Sequence, residues 1–280
     1  MAQKQSFQIK EIANRLENKN PGFWLAKSTS KVFFPEEIHE NFIRLETNSF
    51  WYYHRNELIL EALRQFPPPQ PFFDIGGGNG IVSMALQEAG IEVILVEPSC
   101  VGARNAFERG INTVICSTLE DAGFHSNTFP SVGLFDVVEH IESDNEFLLH
   151  INQLLQKGGL LYITVPAYSF LWSIEDEYTG HFRRYTIRKL KRLLNQVGFH
   201  IQYSTYFFTP LPLPIFLFRS LPSRLGVRRI KENQTCREHK INQKIIFKPL
   251  NWVFEKEIAF VRKQRKIPFG GSCLIIAEKI

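Results

Sequence analysis

Three side chains able to assist the loss of a proton sit close together in the chain: Asp136, Glu139 and His140, at i, i+3 and i+4. On one helical turn that spacing places them on a common face. Carboxylates and imidazole are the groups that take a proton from a reacting hydroxyl, by themselves or helped by a metal. A second run begins at Val165-Pro166-Ala167 and continues through Gly180-His181 to Thr186. It mixes rings that could cover an acceptor, Tyr168 and Trp172 among them, with Asp176, His181, Arg183, Arg184 and Tyr185 as polar handles. His181 is the best candidate in this run for a base. The same residues have a plainer use, since Asp176 paired with Arg183 or Arg184 would simply stiffen a lid.

These groups need a scaffold, and the stretch from Phe72 to Gly80 supplies its starting point. It runs apolar residues into Asp74 and then into Gly76, Gly77, Gly78 and Gly80, with Ile81, Val82, Met84, Ala85 and Leu86 following at helical spacing. The pattern predicts a strand, a tight turn and a helix. Glycines there let a ligand approach bare backbone, and the helix N-terminus points amides at it. Further strands are predicted at Glu92–Glu97, Thr113–Cys116, Ser131–Phe135 and Leu160–Val165, each separated by a helical segment. Such alternation predicts an α/β, Rossmann-like, doubly wound parallel sheet. Ligands bind such sheets beyond the carboxyl ends of the strands, where Asp74, Glu97, Leu119, Glu120, Asp136 and Pro166 fall.

Around this core, residues 1–66 read as an N-terminal helical cap, with one apolar face at Ile38, Phe42, Ile43 and Leu45. Its aromatic cluster, Phe50-Trp51-Tyr52-Tyr53, reads as core packing of the cap and ends near Arg55, whose fork fits a carboxylate or phosphate. The core is expected over 67–208 with a lid at 166–186. An apolar and then basic helical insertion follows at 209–266, and a final strand at 267–280.

The glycines at Gly76, Gly78 and Gly80 are spaced Gly-x-Gly-x-Gly. A dinucleotide fingerprint would need glycine where Ile81 stands, and a phosphate-binding Walker lysine is missing. Phe73 to Gly80, Glu97, Leu119-Glu120, Phe135-Asp136-Val137-Val138-Glu139-His140-Ile141 and Lys157-Gly158-Gly159 resemble, in order, the motifs of class I S-adenosylmethionine-dependent methyltransferases. The resemblance covers roughly residues 50–205. It implies a seven-stranded sheet whose last strand, at Gly271–Lys279, returns antiparallel, and S-adenosyl-L-methionine as cofactor. It also implies that Asp74, Gly76, Gly78 and Gly80 face the methionine and ribose, that Glu97 holds the ribose hydroxyls, and that Leu119 and Glu120 flank the adenine. Backbone from Leu134 to Asp136, Phe135 included, would line the methionine side. Phe129-Pro130 stands where the family usually has Phe-Asp. The Asp136, Glu139, His140 spacing is similar to the metal-binding segment of ubiquinone-pathway O-methyltransferases and small-RNA 2′-O-methyltransferases, with aspartate in place of their first glutamate. The expectation is no metal, with this trio as the alternative. The lid run resembles a bacterial subgroup of largely unassigned substrate.

Composition narrows the partners. The 280 residues are 44% hydrophobic, enough for a sizeable core. Cys100, Cys116, Cys236 and Cys273 are scattered without metal-ligand spacing, which favours a reduced, cytoplasmic setting. No signal-peptide pattern opens the chain, and the most apolar stretch, Tyr206 to Phe218, is broken by Pro210, Pro212 and Pro214. From Ser223 onward Lys and Arg outnumber acids 14 to 5, whereas acids lead 23 to 19 before it. Residues 206–248 could therefore rest on the inner face of a membrane, or pack on the core with a solvated basic face. A small or lipid-linked, hydroxylated acceptor fits this pattern. An RNA methyltransferase is the rival reading, against which stands the lack of a recognisable RNA-binding module. A non-catalytic S-adenosylmethionine-binding protein is the third.

Overall fold

Phe72 and Phe73 are both fully buried, one in each of two separate core clusters. Phe72 joins Leu58, Ile59 and Leu86, while Phe73 joins Ile94, Ile115 and Leu134. Consecutive buried positions on a strand mean that both faces of the sheet are covered, and helices cover them here.

The computed structural model describes residues 8–27, 46, 49–228 and 247–280. In chain order these form α1 (Ile9–Ile12), β1 (Leu16–Asn20), β2 (Phe23–Ala26), α2 (Phe50–Gln65), β3 (Phe72–Ile75), α3 (Ile81–Glu88), β4 (Val93–Glu97) and α4 (Cys100–Glu108). Next come β5 (Val114–Cys116), α5 (Leu119–Ala122), β6 (Phe129–Phe135), α6 (Asp144–Leu154), β7 (Leu155–Pro166), α7 (Ile174–Tyr178), α8 (Ile187–Gln196) and β8 (Phe199–Phe207). The last elements are α9 (Pro212–Ile215), a π turn (Phe216–Ser220), α10 (Leu221–Arg224), α11 (Phe247–Arg262) and β9 (Ser272–Lys279).

The strands form one sheet in the order β1-β2-β5-β4-β3-β6-β7-β9-β8. From β2 to β7 all neighbours are parallel, and β9 lies antiparallel between β7 and β8, with Ile275 opposite both Ile163 and Ser204. The strand order reverses between β3 and β6, which is where open α/β sheets place their ligands.

Two expectations are corrected. The sheet has nine strands among the described residues, not seven, and the N-terminal part is not purely helical. Leu16–Asn20 and Phe23–Ala26 form a hairpin, and β2 pairs parallel to β5. Gly22 makes the turn possible: it has φ +88°, and a Cβ there would lie 2.2 Å from the Asn112 carbonyl oxygen. The outer strand, Leu-Glu-Asn-Lys-Asn, is mostly exposed and polar. Such a strand protects a sheet edge, but it carries no apolar alternation by which to find it. The expected face at Ile38, Phe42, Ile43 and Leu45 lies outside the described residues. Lys157-Gly158-Gly159 falls within β7, the preceding helix having ended at Leu154.

α2 is tied to α11 by a buried polar latch. His54 Nε2 lies 2.8 Å from Glu257 Oε2, and the His54 ring stacks on Phe254. Glu257 also accepts from the backbone amides of Phe208 and Thr209. Cys100 and Cys116, 16 positions apart in sequence, stand with their sulfurs 2.7 Å apart.

Candidate active site

Beyond the carboxyl ends of β3 and β6 lies a cavity of about 200 Å³. The glycine turn forms one wall. Gly78 has φ +53°, and a Cβ added there would meet nothing within 4 Å, so bare backbone borders open space. That is a cradle suited to a close-lying cofactor. Gly80 serves packing instead: its Cβ would come within 2.9 Å of Ala106, so glycine lets α3 approach α4.

Two acids stand behind this turn. Asp74 is buried and accepts a 2.6 Å hydrogen bond from Ser83 Oγ; burial raises its pKa to about 6, against the opposing pull of Ser83 and Arg55. Glu97 accepts from the amides of Gly78 and Ser99, each at 2.8 Å. Its burial outweighs those two bonds and raises it to about 7. Glu97 therefore ties the end of β4 to the glycine turn.

The opposite side is built from α2 and the residues after β6. Arg55 Nη1 donates to Asp136 Oδ2 at 2.5 Å, with its guanidinium over the rings of Trp51 and Tyr52. Asp136 sits at φ +59°, and Thr164 Oγ1 donates to its other oxygen at 3.3 Å. Glu46 also reaches the cavity, paired with Arg109 at 2.7 Å and receiving Asn79 Nδ2 at 3.1 Å.

The lid contributes Thr179 and His181. His181 Nδ1 lies 2.9 Å from Asp176 Oδ1. Asp176 is buried and caps α7, accepting from the Ser173 amide and hydroxyl, and it is gripped by Arg184 Nε at 2.7 Å and Nη2 at 3.0 Å. Burial works to raise the Asp176 pKa, but His181 and Arg184 together hold it at about 2. An ionised Asp176 assigns the proton to His181 Nδ1 and leaves Nε2 as the acceptor nitrogen. The His140 ring stands edge-on to His181, with centroids 4.7 Å apart. Burial first, and then the neighbouring His181, lowers the His140 pKa to about 3. Glu139 is raised well above the usual carboxylate range by burial and by Asp136, and its Oε2 is buried without a hydrogen-bond partner. Ligand atoms of Glu139, His140 and His181 all lie within 4.8 Å of one another.

The site thus gathers Asp74, Gly76, Gly78, Phe135, Asp136, His140 and His181 around one cavity. Glu97 and Gly80 adjoin it through the turn. Leu119 is buried in the core, and Glu120 points away to pair with His150 at 3.3 Å. None of the six residues expected to meet an acceptor lines the cavity. Tyr185 is fully buried with its hydroxyl on Asp144, and Arg183 donates to the Ile141 and Glu142 carbonyls and pairs with Asp144. Asp176 and Arg184 hold one another, Tyr168 stacks on Tyr206, and Trp172 Nε1 donates to Glu177. These residues build the lid because polar groups on a short insert are first used to satisfy its own backbone and charges. Trp51, Tyr52, Glu46 and Asn79 were missed as lining residues. For the two aromatics the available signal was the cluster ending at Arg55, read as core packing; Glu46 had no signal.

A family model described as a methyltransferase domain matches residues 50–204. The mitochondrial ubiquinone biosynthesis O-methyltransferase of Homo sapiens is 28% identical over 120 residues, covering 38% of this chain and 32% of that protein. The ubiquinone biosynthesis O-methyltransferase of Parvibaculum lavamentivorans is 28% identical over 123 residues, covering 40% of this chain and 48% of that protein. The matched stretch therefore spans less than half the length of either relative. Among solved structures, phosphoethanolamine N-methyltransferase 2 of Haemonchus contortus, in complex with S-adenosyl-L-methionine, superposes with a TM-score of 0.55 at 20% identity, covering 88% of this chain and 57% of that one. A possible histamine N-methyltransferase from Thermotoga maritima gives 0.52 at 16%, covering 87% and 96%. At such identities the structural likeness speaks for the fold alone. With the domain match extending over more than half of its length, the chain belongs to the methyltransferase-domain family and is a class I S-adenosylmethionine-dependent methyltransferase.

Proposed function

We propose that the chain methylates a hydroxyl group on a small or lipid-linked acceptor, with His181 taking the proton. The pairing of the buried Asp176 with the half-buried His181 carries this reading: a carboxylate held ionised fixes one imidazole nitrogen and leaves the other as a base beside the cavity. When bound, S-adenosylmethionine supplies a methyl group on a positively charged sulfur, open to in-line displacement. Asp74, Gly76, Gly78, Glu97 and Phe135 would hold it, with Gly80 setting the turn by its packing on α4. The chain's remaining tasks are to align the nucleophile, exclude water and receive the proton. Arg55 helps by fixing Asp136 in place. The curated relatives are named as O-methyltransferases, which supports an oxygen acceptor.

The test is to supply the purified protein and methyl-tritiated cofactor to an extract of the source cells. Label is expected in the small-molecule or organic-soluble fraction; label confined to RNA or protein overturns the reading.

A second reading has its own observation. The unpartnered, buried Glu139 Oε2 stands with His140 and His181 where a divalent cation could be held. Asp136, which the spacing would have put in that set, is taken up by Arg55. Chelation separates the two readings. Activity that survives chelator and dialysis leaves His181 acting as a base, whereas activity lost and restored by Mg²⁺ or Mn²⁺ assigns the trio to a cation.

A further inference from the structure

The segment after β8 carries an apolar stripe turned to solvent. Leu213, Leu217, Leu221 and Leu225 follow at four-residue spacing and are 67%, 44%, 38% and 67% exposed, with Phe218 beside them at 69%. In an α-helix each four-residue step overshoots one turn by about 40°, so such a stripe drifts around the axis. The π turn at Phe216–Ser220 takes more residues per turn and draws the stripe back. The other side of the segment is anchored, with Pro212 and Ser220 buried and the Phe216 ring packed edge-on to Phe170. Large apolar side chains gathered on one exposed face mark an interaction site.

Charge indicates the partner. From Thr209 to Arg228 there are three arginines and no acid, Arg228 being paired with Glu175 of the lid, and over 209–248 Lys and Arg number nine against two Glu. An apolar stripe in a basic, acid-free segment complements an anionic interface whose interior accepts aliphatic and aromatic side chains. Among the described residues no helix is long and apolar enough to cross a membrane.

We propose that the Leu213–Leu225 face docks on an anionic lipid bilayer. The inference deepens the lipid-linked half of the proposed function and rests on it for its purpose. The docking face is joined to the lid. Ser223 Oγ accepts from the Ile174 amide at 3.2 Å, Arg224 Nη2 donates to the Phe170 carbonyl at 2.9 Å, and Arg228 pairs with Glu175. Ile174 and Glu175 belong to α7, which leads directly into Thr179 and His181 at the cavity. A docked stripe therefore holds the lid beside the membrane, within reach of an acceptor whose tail stays in lipid.

The full chain would be sedimented with phosphatidylcholine vesicles, with and without phosphatidylglycerol, at low and high salt. It is expected to bind the anionic vesicles, more weakly in salt, with binding about tenfold weaker in a Leu217→Asp, Phe218→Asp double variant. Both side chains are exposed, so cofactor affinity and melting temperature should stay unchanged in that variant. Should it unfold, Leu213→Asp with Leu225→Asp gives the same readout at the ends of the stripe. No binding to either vesicle, or binding that the folded variants leave intact, overturns the proposal. So does a dimer in solution that the variants dissociate, for then a second copy occupies the face. Vesicle binding by a chain that labels only RNA or protein would leave the docking standing and remove the proposed acceptor.

Discussion

At the scale of single residues, His181 and Gly78 are the two positions where the reading can be broken most directly. His181→Gln removes the proposed base while keeping a polar side chain, and kcat should fall about 100-fold or more. Cofactor affinity, measured by calorimetry, should not change; an unchanged kcat would leave His181 without a role in proton transfer. Asp176→Asn should lower kcat too, but it also strips a buried partner from Arg184 and should cost about 3 kcal/mol of stability. Gly78→Val places a branched side chain at φ +53° and in the cavity. Backbone strain alone should cost about 1–2 kcal/mol, and cofactor affinity should drop by about tenfold or more; a variant that binds as tightly as the parent would refute the cofactor placement. Gly78 and His181 were legible as chemical candidates because the residue type itself suggested the role. Asp176 was legible as a partner for Arg183 or Arg184, and Arg184 takes that place, but its service to His181 depends on how the lid folds back on itself.

At the scale of elements, the end of β4 and the glycine turn act as one unit through Glu97. In the folded, unliganded protein Glu97 titrates near 7 and Asp74 near 6, both raised by burial. Each therefore holds its proton more tightly folded than unfolded, so this contribution to stability is present at low pH. It is lost as pH rises through about 6 for Asp74 and about 7 for Glu97. On the proposed placement, a cationic, hydroxyl-bearing cofactor needs the two carboxylates in their anionic form. Its affinity should weaken as pH falls through about 7 and then about 6, with protons released on binding near neutrality. Titration calorimetry in buffers of different ionisation enthalpy reads this out, and a binding heat independent of buffer would contradict it. The strands and the turn could be read ahead of the structure because apolar runs and glycines are local signals. The β1–β2 hairpin could not: its outer strand is polar, and its pairing with β5 is a matter of what lies beside it.

At the scale of the whole molecule, the latch between α2 and α11 ties the aromatic wall of the cavity to the far end of the chain. His54 and Glu257 are 203 positions apart and almost wholly buried. His54→Ala would leave Glu257 without its ring partner, and urea unfolding should report a loss of roughly 3 kcal/mol. Because Trp51, Tyr52 and Arg55 share that helix, cofactor or acceptor affinity should weaken with it; a variant as stable as the parent would show that the latch is dispensable.

The antiparallel return at the C-terminus was implied by the family resemblance, whereas by itself the sequence determined the α/β class, the succession of the core strands along the chain and the glycine turn with its acid. Those depend on periodicity, on glycine where φ is positive and on the order of motifs, all of which are properties of neighbouring residues. Only the tertiary structure decided which groups meet. Arg55 with Asp136, Asp176 with His181, Cys100 with Cys116 and His54 with Glu257 are brought together by sheet order and helix packing. It also decided that Leu213, Leu217 and Phe218 face solvent while Leu211 packs inward. A buried polar group must find a partner wherever the fold places one, and that partner follows from packing across the whole chain rather than from spacing along it.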